Sequence, residues 1–194
     1  MRSRLVGAAL GLAAGLAASA TAQPSVETLE RVAVVVDERP LLLSDVRALA
    51  AVRGLDDTAA LKAAIDERLM YGEASRLAQA EVRPGEEDEA LASLRVREPA
   101  RAGRVSEPDL RRLLRRQLTI LKYVEFRFRP QLRITDEQVR KAWEAEEVGR
   151  PSGLALEDAQ EAIRARLERR ALDERVEAWV GELRSRADVR EVAP

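Results

Sequence analysis

The 194-residue chain contains no cysteine and no histidine. Without cysteine there is no disulfide framework and no residue to carry a lipoprotein acyl anchor. Without histidine the commonest general base is missing, and the two absences together remove the usual zinc ligands and the Ser-His and Cys-His nucleophilic arrangements. Glycines beyond the N-terminal stretch are isolated at breaks, so no phosphate-cradling loop is present. The longest apolar run, 5–18, is short of the ~20 residues that a membrane span needs. A formal net charge of −1 lacks the basic excess of a dedicated nucleic-acid binder. These absences leave a non-enzymatic protein with no cofactor or metal site, working through a surface.

What is present begins with an address. Arg2 and Arg4 precede the small-apolar run 5–18, and Ala20-Thr21-Ala22 supplies small residues at a cleavage point, which is the pattern of a secretory signal peptide cut after Ala22. The remaining 172 residues, 23–194, carry 31 basic and 34 acidic side chains. They suit one domain or two small ones. Charged residues make up 35% of the chain and aromatics 3%, beside abundant Ala and Leu, which favours helices with heavily charged outer faces.

Val32-Ala33-Val34-Val35-Val36 is a β-branched run of strand length, and Leu41-Leu42-Leu43 is a second short run. The Asp37-Glu38-Arg39-Pro40 connection lacks the Asn-Gly or Asp-Gly pair of a tight hairpin, so a looser turn is expected. Ser44 is placed to cap the first helix and Gly54 to stop it; Asp57 or Thr58 caps the second, which runs to about Gln79 and is apolar on most of its circumference. Glu86-Glu87-Asp88-Glu89 opens the third helix, where four acids complement the helix dipole in solvent. A Pro- and Gly-containing loop is expected over 98–105, before Ser106-Glu107-Pro108-Asp109 starts a helix to about Arg129. Thr135-Asp136-Glu137-Gln138 caps a short helix containing Trp143.

The last stretch, 156–192, reads as a helix of roughly 30 residues followed by a strand-like tail, which is expected to pair with the hairpin. Leu156, Ala159, Ile163 and Leu167 share one face, whereas Leu172, Val176, Trp179, Val180, Leu183 and Ala187 fall almost opposite. The helix should therefore bridge two packing environments. On the helix from Ser106, Tyr123 and Phe126 project away from the apolar stripe and among basic residues, as an exposed contact surface. With Met70, Tyr71 and Trp143 they are the peptide-binding candidates.

The order of these pieces resembles the SurA-type family of periplasmic chaperones. Val34-Val35-Val36-Asp37-Glu38-Arg39-Pro40-Leu41-Leu42-Leu43-Ser44-Asp45-Val46 is similar to its hairpin-then-helix opening, and 61–74, centred on Ile65-Asp66-Glu67-Arg68-Leu69, to its second helix. Residues 106–128 and Ile134-Thr135-Asp136-Glu137-Gln138-Val139 resemble its fourth helix and the element that follows. The chain departs from the family pattern in its Asp37-Glu38 turn, in Arg83-Pro84-Gly85 where a helix cap is expected, and in a short loop before Ser106. Where many relatives carry a parvulin prolyl isomerase domain, only 148–153 is found.

The resemblance implies a mainly α chaperone module over 23–194, with a small N-terminal β-hairpin and a long C-terminal helix packed back on the N-terminal helices; the strand-like 189–192 is a candidate to pair with that hairpin. It implies a periplasmic, ATP-independent chaperone without isomerase activity, binding unfolded or extended polypeptides, outer-membrane proteins among them, through an apolar surface. Nucleic-acid partners and stable membrane insertion after signal cleavage are not expected. An envelope adaptor that binds one folded partner through the same helices is the alternative, and an accessory to a separate isomerase a third.

Overall fold

A computed structural model of the chain describes residues 30–145 and 155–191. The signal read at 1–22 and the break read at 148–153 lie outside the described residues. The fold is mainly helical with a small antiparallel sheet. Strand β1 (Val32–Val36) pairs with β2 (Arg39–Leu42), and β3 (Val189–Glu191) pairs with the other side of β1.

The hairpin turn is tight rather than loose. Val36 pairs directly with Arg39, and Asp37 and Glu38 take φ values of 48° and 64°, a left-handed conformation that costs an ordinary residue roughly 1–2 kcal/mol. The returning chain holds it there: Asp37 N–H donates to the Asp188 carbonyl at 2.9 Å, and Asp188 N–H donates to Asp37 Oδ1 at 3.0 Å. A contact between residues 151 apart thus sets a turn that local sequence disfavours.

Helix α1 (Leu43–Arg53) starts one residue before Ser44, whose N–H donates to Glu30 Oε1 at 3.2 Å; Ser44 is therefore inside the first turn and is not the cap. Gly54 ends the helix at φ 70°. Helix α2 (Asp57–Ala74) is capped by Asp56, which accepts from Ala59 N–H at 2.8 Å, and stops short of Gln79 ahead of a 3-10 turn at Ala78–Ala80. Its Ala60, Ala64 and Leu69 join Val34, Val36 and Leu49 in the principal core.

Helix α3 (Pro84–Arg97) is followed by the four-residue α4 (Pro99–Ala102) where a loop was expected, with Pro99 preset for a first helical position. Helix α5 (Glu107–Arg127) is capped by Ser106 Oγ, accepting from Asp109 N–H at 3.3 Å. Leu91 and Leu94 of α3, Ala102, and Leu110 and Leu114 of α5 form a second core.

The acids opening α3 are not simply solvated. Glu86 accepts from Lys122 Nζ at 2.5 Å, Asp88 from Arg111 at 2.7 Å, and Glu87, itself buried, from Arg115 at 2.8 Å. The basic line on α5 and the acidic start of α3 are each other's partners. Because Glu87 is shielded from water, its pairing orients the two helices more strongly than exposed pairs do.

Helix α6 (Asp136–Ala145) begins with reciprocal bonds, Thr135 N–H to Gln138 Oε1 at 2.8 Å and Gln138 N–H to Thr135 Oγ1 at 3.2 Å. Helix α7 (Leu156–Arg186) then crosses the molecule. Its first half lies on α6, where Ile163 is buried and Arg164 donates to the Ile134 carbonyl at 2.8 Å and to Asp136 at 2.7 Å. Its end returns to the start of the fold: Leu183 and Ala187 pack on the principal core, and Arg184 forms a two-pronged ion pair with Asp66 of α2.

Candidate functional site

The two half-stripes of α7 place the site. On the second face, Ala165, Glu168, Arg169 and Leu172 lie at i, i+3, i+4 and i+7, in line with Val176, Trp179 and Leu183 farther along. Trp179 and Leu183 find neighbours, but the first four border an open cavity of about 440 Å³, whose other wall is Arg129 and Leu132. Arg129 and Leu132 begin and follow a 3-10 turn, Arg129–Gln131, between α5 and α6. The helix is thus anchored at both ends and open beneath its middle, where the apolar stripe changes sides. Leu132, Ala165 and Leu172 supply apolar surface, with Arg129, Glu168 and Arg169 as a polar rim.

An aromatic cluster closes one end of this line. Trp179 stacks on Tyr123 with ring centroids 4.9 Å apart and planes at 18°, and Phe128 meets Trp179 at 5.5 Å and Tyr123 at 6.2 Å, edge-on to the latter. Trp179 is only 8% exposed. Each such contact adds about 0.5–1.5 kcal/mol beyond burial, so the cluster clamps α7 to the end of α5.

Tyr123 therefore does not belong to a free contact surface, because α7 covers it. Phe126, three residues on, is 53% exposed, and Leu121 is 54% exposed although it lies on the apolar side of α5. Met70 is half-buried on α2, while the half-buried Tyr71 lines a separate cavity with Leu77, Ala80 and Thr119. Trp143 is half-buried on α6, one turn after the buried Val139. These five residues occupy three helices and different surroundings. Leu132 and Leu172 were not among them; the phase change of the α7 stripe, read as two packing environments, is the sequence signal that falls at their cleft.

The position of α5 is fixed by buried charge. Arg116, with a side chain 13% exposed, donates to Glu67 at 2.9 Å and to Asp45 at 3.0 Å, and Gln117 adds a bond to Glu67 at 3.2 Å. Burial lowers the affinity of this guanidinium for its proton, but Glu67 and Asp45 outweigh burial and raise its pKa above the usual arginine value. One residue thereby ties α5 to α1 and α2 beside the hairpin. The chain matches no protein-family model and no curated protein. Among the described residues no group of three or more His, Cys, Asp or Glu is placed to hold a metal ion, and no helix is long and apolar enough to cross a membrane.

Proposed function

We propose that this chain is a non-catalytic, ATP-independent chaperone of the cell envelope, holding extended or partly folded polypeptides, outer-membrane proteins among them, in the cleft beneath the middle of α7. The observation that carries the reading is the open apolar strip of Leu132, Ala165 and Leu172 between two firmly anchored ends of one helix. About 440 Å³ is in the range of a ligand pocket. It accepts a few apolar side chains at a time, which makes capture weak and reversible. The signal-like start supports export, and the resemblance to the SurA-type family supports the client class. Holding requires only that binding of an unfolded chain compete with its self-association.

The test is aggregation of an unfolded outer-membrane barrel protein in the presence of the full chain. The wild type should slow aggregation, and Leu172→Glu, on a half-buried surface position, should remove most of that effect while leaving the far-UV spectrum unchanged. Failure of the wild type to slow aggregation, with capture of one folded envelope protein instead, would favour the adaptor reading. Equal protection by wild type and Leu172→Glu would move the client surface elsewhere, with exposed Phe126 the next place to substitute.

A further inference from the structure

Arg68 of α2 holds its Nε buried with no hydrogen-bond partner among the described residues. Burial, with the nearby charges of Arg39 and Arg116, pulls its pKa down. A shielded cation without an anion is costly, and the charge of Asp45, which offsets it, is already bonded to Arg116.

Arg68 lines a cavity of about 300 Å³ between the hairpin turn, α2 and the end of α7, together with Arg39, Arg76 and Arg186. Of the two acids there, Glu73 pairs with Arg76 at 3.2 Å, and Asp37 accepts one backbone bond from Asp188 and keeps its charge, so four guanidinium groups face two carboxylates. Arg186 Nε is turned to the Glu182 carbonyl at 3.2 Å. Arg39 has no ion pair among the described residues and lies against Gly72 of α2, its Nη1 3.5 Å from the place of an added Cβ. The apolar wall is the half-buried Leu183, with Val36 and Leu69 buried behind it.

We propose that this cavity binds the carboxylate of a polypeptide through Arg68 and Arg39. Guanidinium groups match the planar carboxylate with paired donors. The apolar wall suits the carbon atoms that a peptide carboxylate brings with it, whereas inorganic phosphate is hydrated on all sides and gains nothing from Val36 or Leu183. That the ligand is a polypeptide rests on the proposed function; the anion site rests on the arginines alone.

The experiment is fluorescence anisotropy of a labelled, otherwise uncharged apolar peptide ending in a free carboxylate, added to the full chain. Its C-terminal amide should bind at least about tenfold more weakly, as loss of a charge-assisted contact requires. An amide carrying one internal Glu distinguishes side-chain from chain-end carboxylates: recovery of binding assigns both, and no recovery assigns the chain end. Arg68→Met should weaken free-acid binding by about tenfold or more while its melting temperature stays level or rises, since it deletes a half-buried charge with no bonded anion among the described residues; a merely structural role would lower the melting point instead. Arg39→Gln, at an exposed position, should weaken binding too and serves if Arg68→Met does not fold. Equal binding of acid and amide, unchanged affinity in Arg68→Met or Arg39→Gln, or stronger competition by phosphate than by acetate would each overturn the assignment.

Discussion

Replacing Arg116 by methionine keeps the packed stem of the side chain and deletes its charge. The guanidinium is bonded to Glu67 at 2.9 Å and Asp45 at 3.0 Å, and Glu67 is only 4% exposed. Removing one partner from a buried ion pair costs about 3–5 kcal/mol, because the opposite charge stays buried without compensation. Arg112 remains 3.7 Å from Asp45 and Arg53 3.9 Å from Glu67. Both are nearly half exposed, so together they offset no more than about 1 kcal/mol. The expected loss is therefore about 2–4 kcal/mol, or roughly 5–15 °C in melting temperature for a chain of this size. Urea unfolding followed by far-UV circular dichroism should show a lower midpoint at an unchanged slope. The triple variant Arg116→Met, Asp45→Leu, Glu67→Met should recover part of the loss, since it removes both buried carboxylates with their partner, while Arg68 loses the charge of Asp45 that offsets it. A single variant costing less than about 0.5 kcal/mol, or a triple variant costing more than the single, would refute the claim that burial makes this network decisive.

Trp179→Ala should destabilise by about 3–5 kcal/mol, and a double-mutant cycle with Tyr123→Ala should return about 0.5–1.5 kcal/mol of coupling; zero coupling would mean that the ring stack does not clamp α7. Glu38→Gly relieves a left-handed φ of 64° and should raise stability by about 0.5 kcal/mol after the entropy lost by glycine; a lower melting temperature would contradict that account of the turn. The hydrogen bond from Lys122, followed by that from the Arg83 backbone, holds the Glu86 carboxyl down at about 2. Its contribution is complete above the ordinary value near 4.5 and lost as pH falls through about 2. Acid unfolding of Lys122→Met should consequently have a shallower pH dependence between those limits; an unchanged acid limb would show that this pair does not couple α3 to α5.

Several features followed from the sequence alone because their causes lie within one turn of the chain. Ser106 and Thr135 act as caps since a side-chain oxygen reaches a backbone N–H three residues on, and Gly54 stops α1 since glycine enters the left-handed region freely. The opposed faces of α7 were legible from 3.6-residue periodicity, which also required two different neighbours. The tertiary structure decided which neighbours those are. Periodicity marks a face as covered and is silent on what covers it, so nothing local revealed that Trp179 meets Tyr123 of α5 and Phe128 just beyond it while Leu183 meets the hairpin core. For the same reason the acids of α3 looked solvated until α5 brought Lys122, Arg111 and Arg115 against them. Asp37 and Glu38 looked unfit for a tight turn until Asp188 returned from the far end of the chain to hold it. The cleft under Leu172 and the arginine-lined cavity at Arg68 belong to the same class: each is bounded by segments far apart in sequence, whose distances only the folded chain sets.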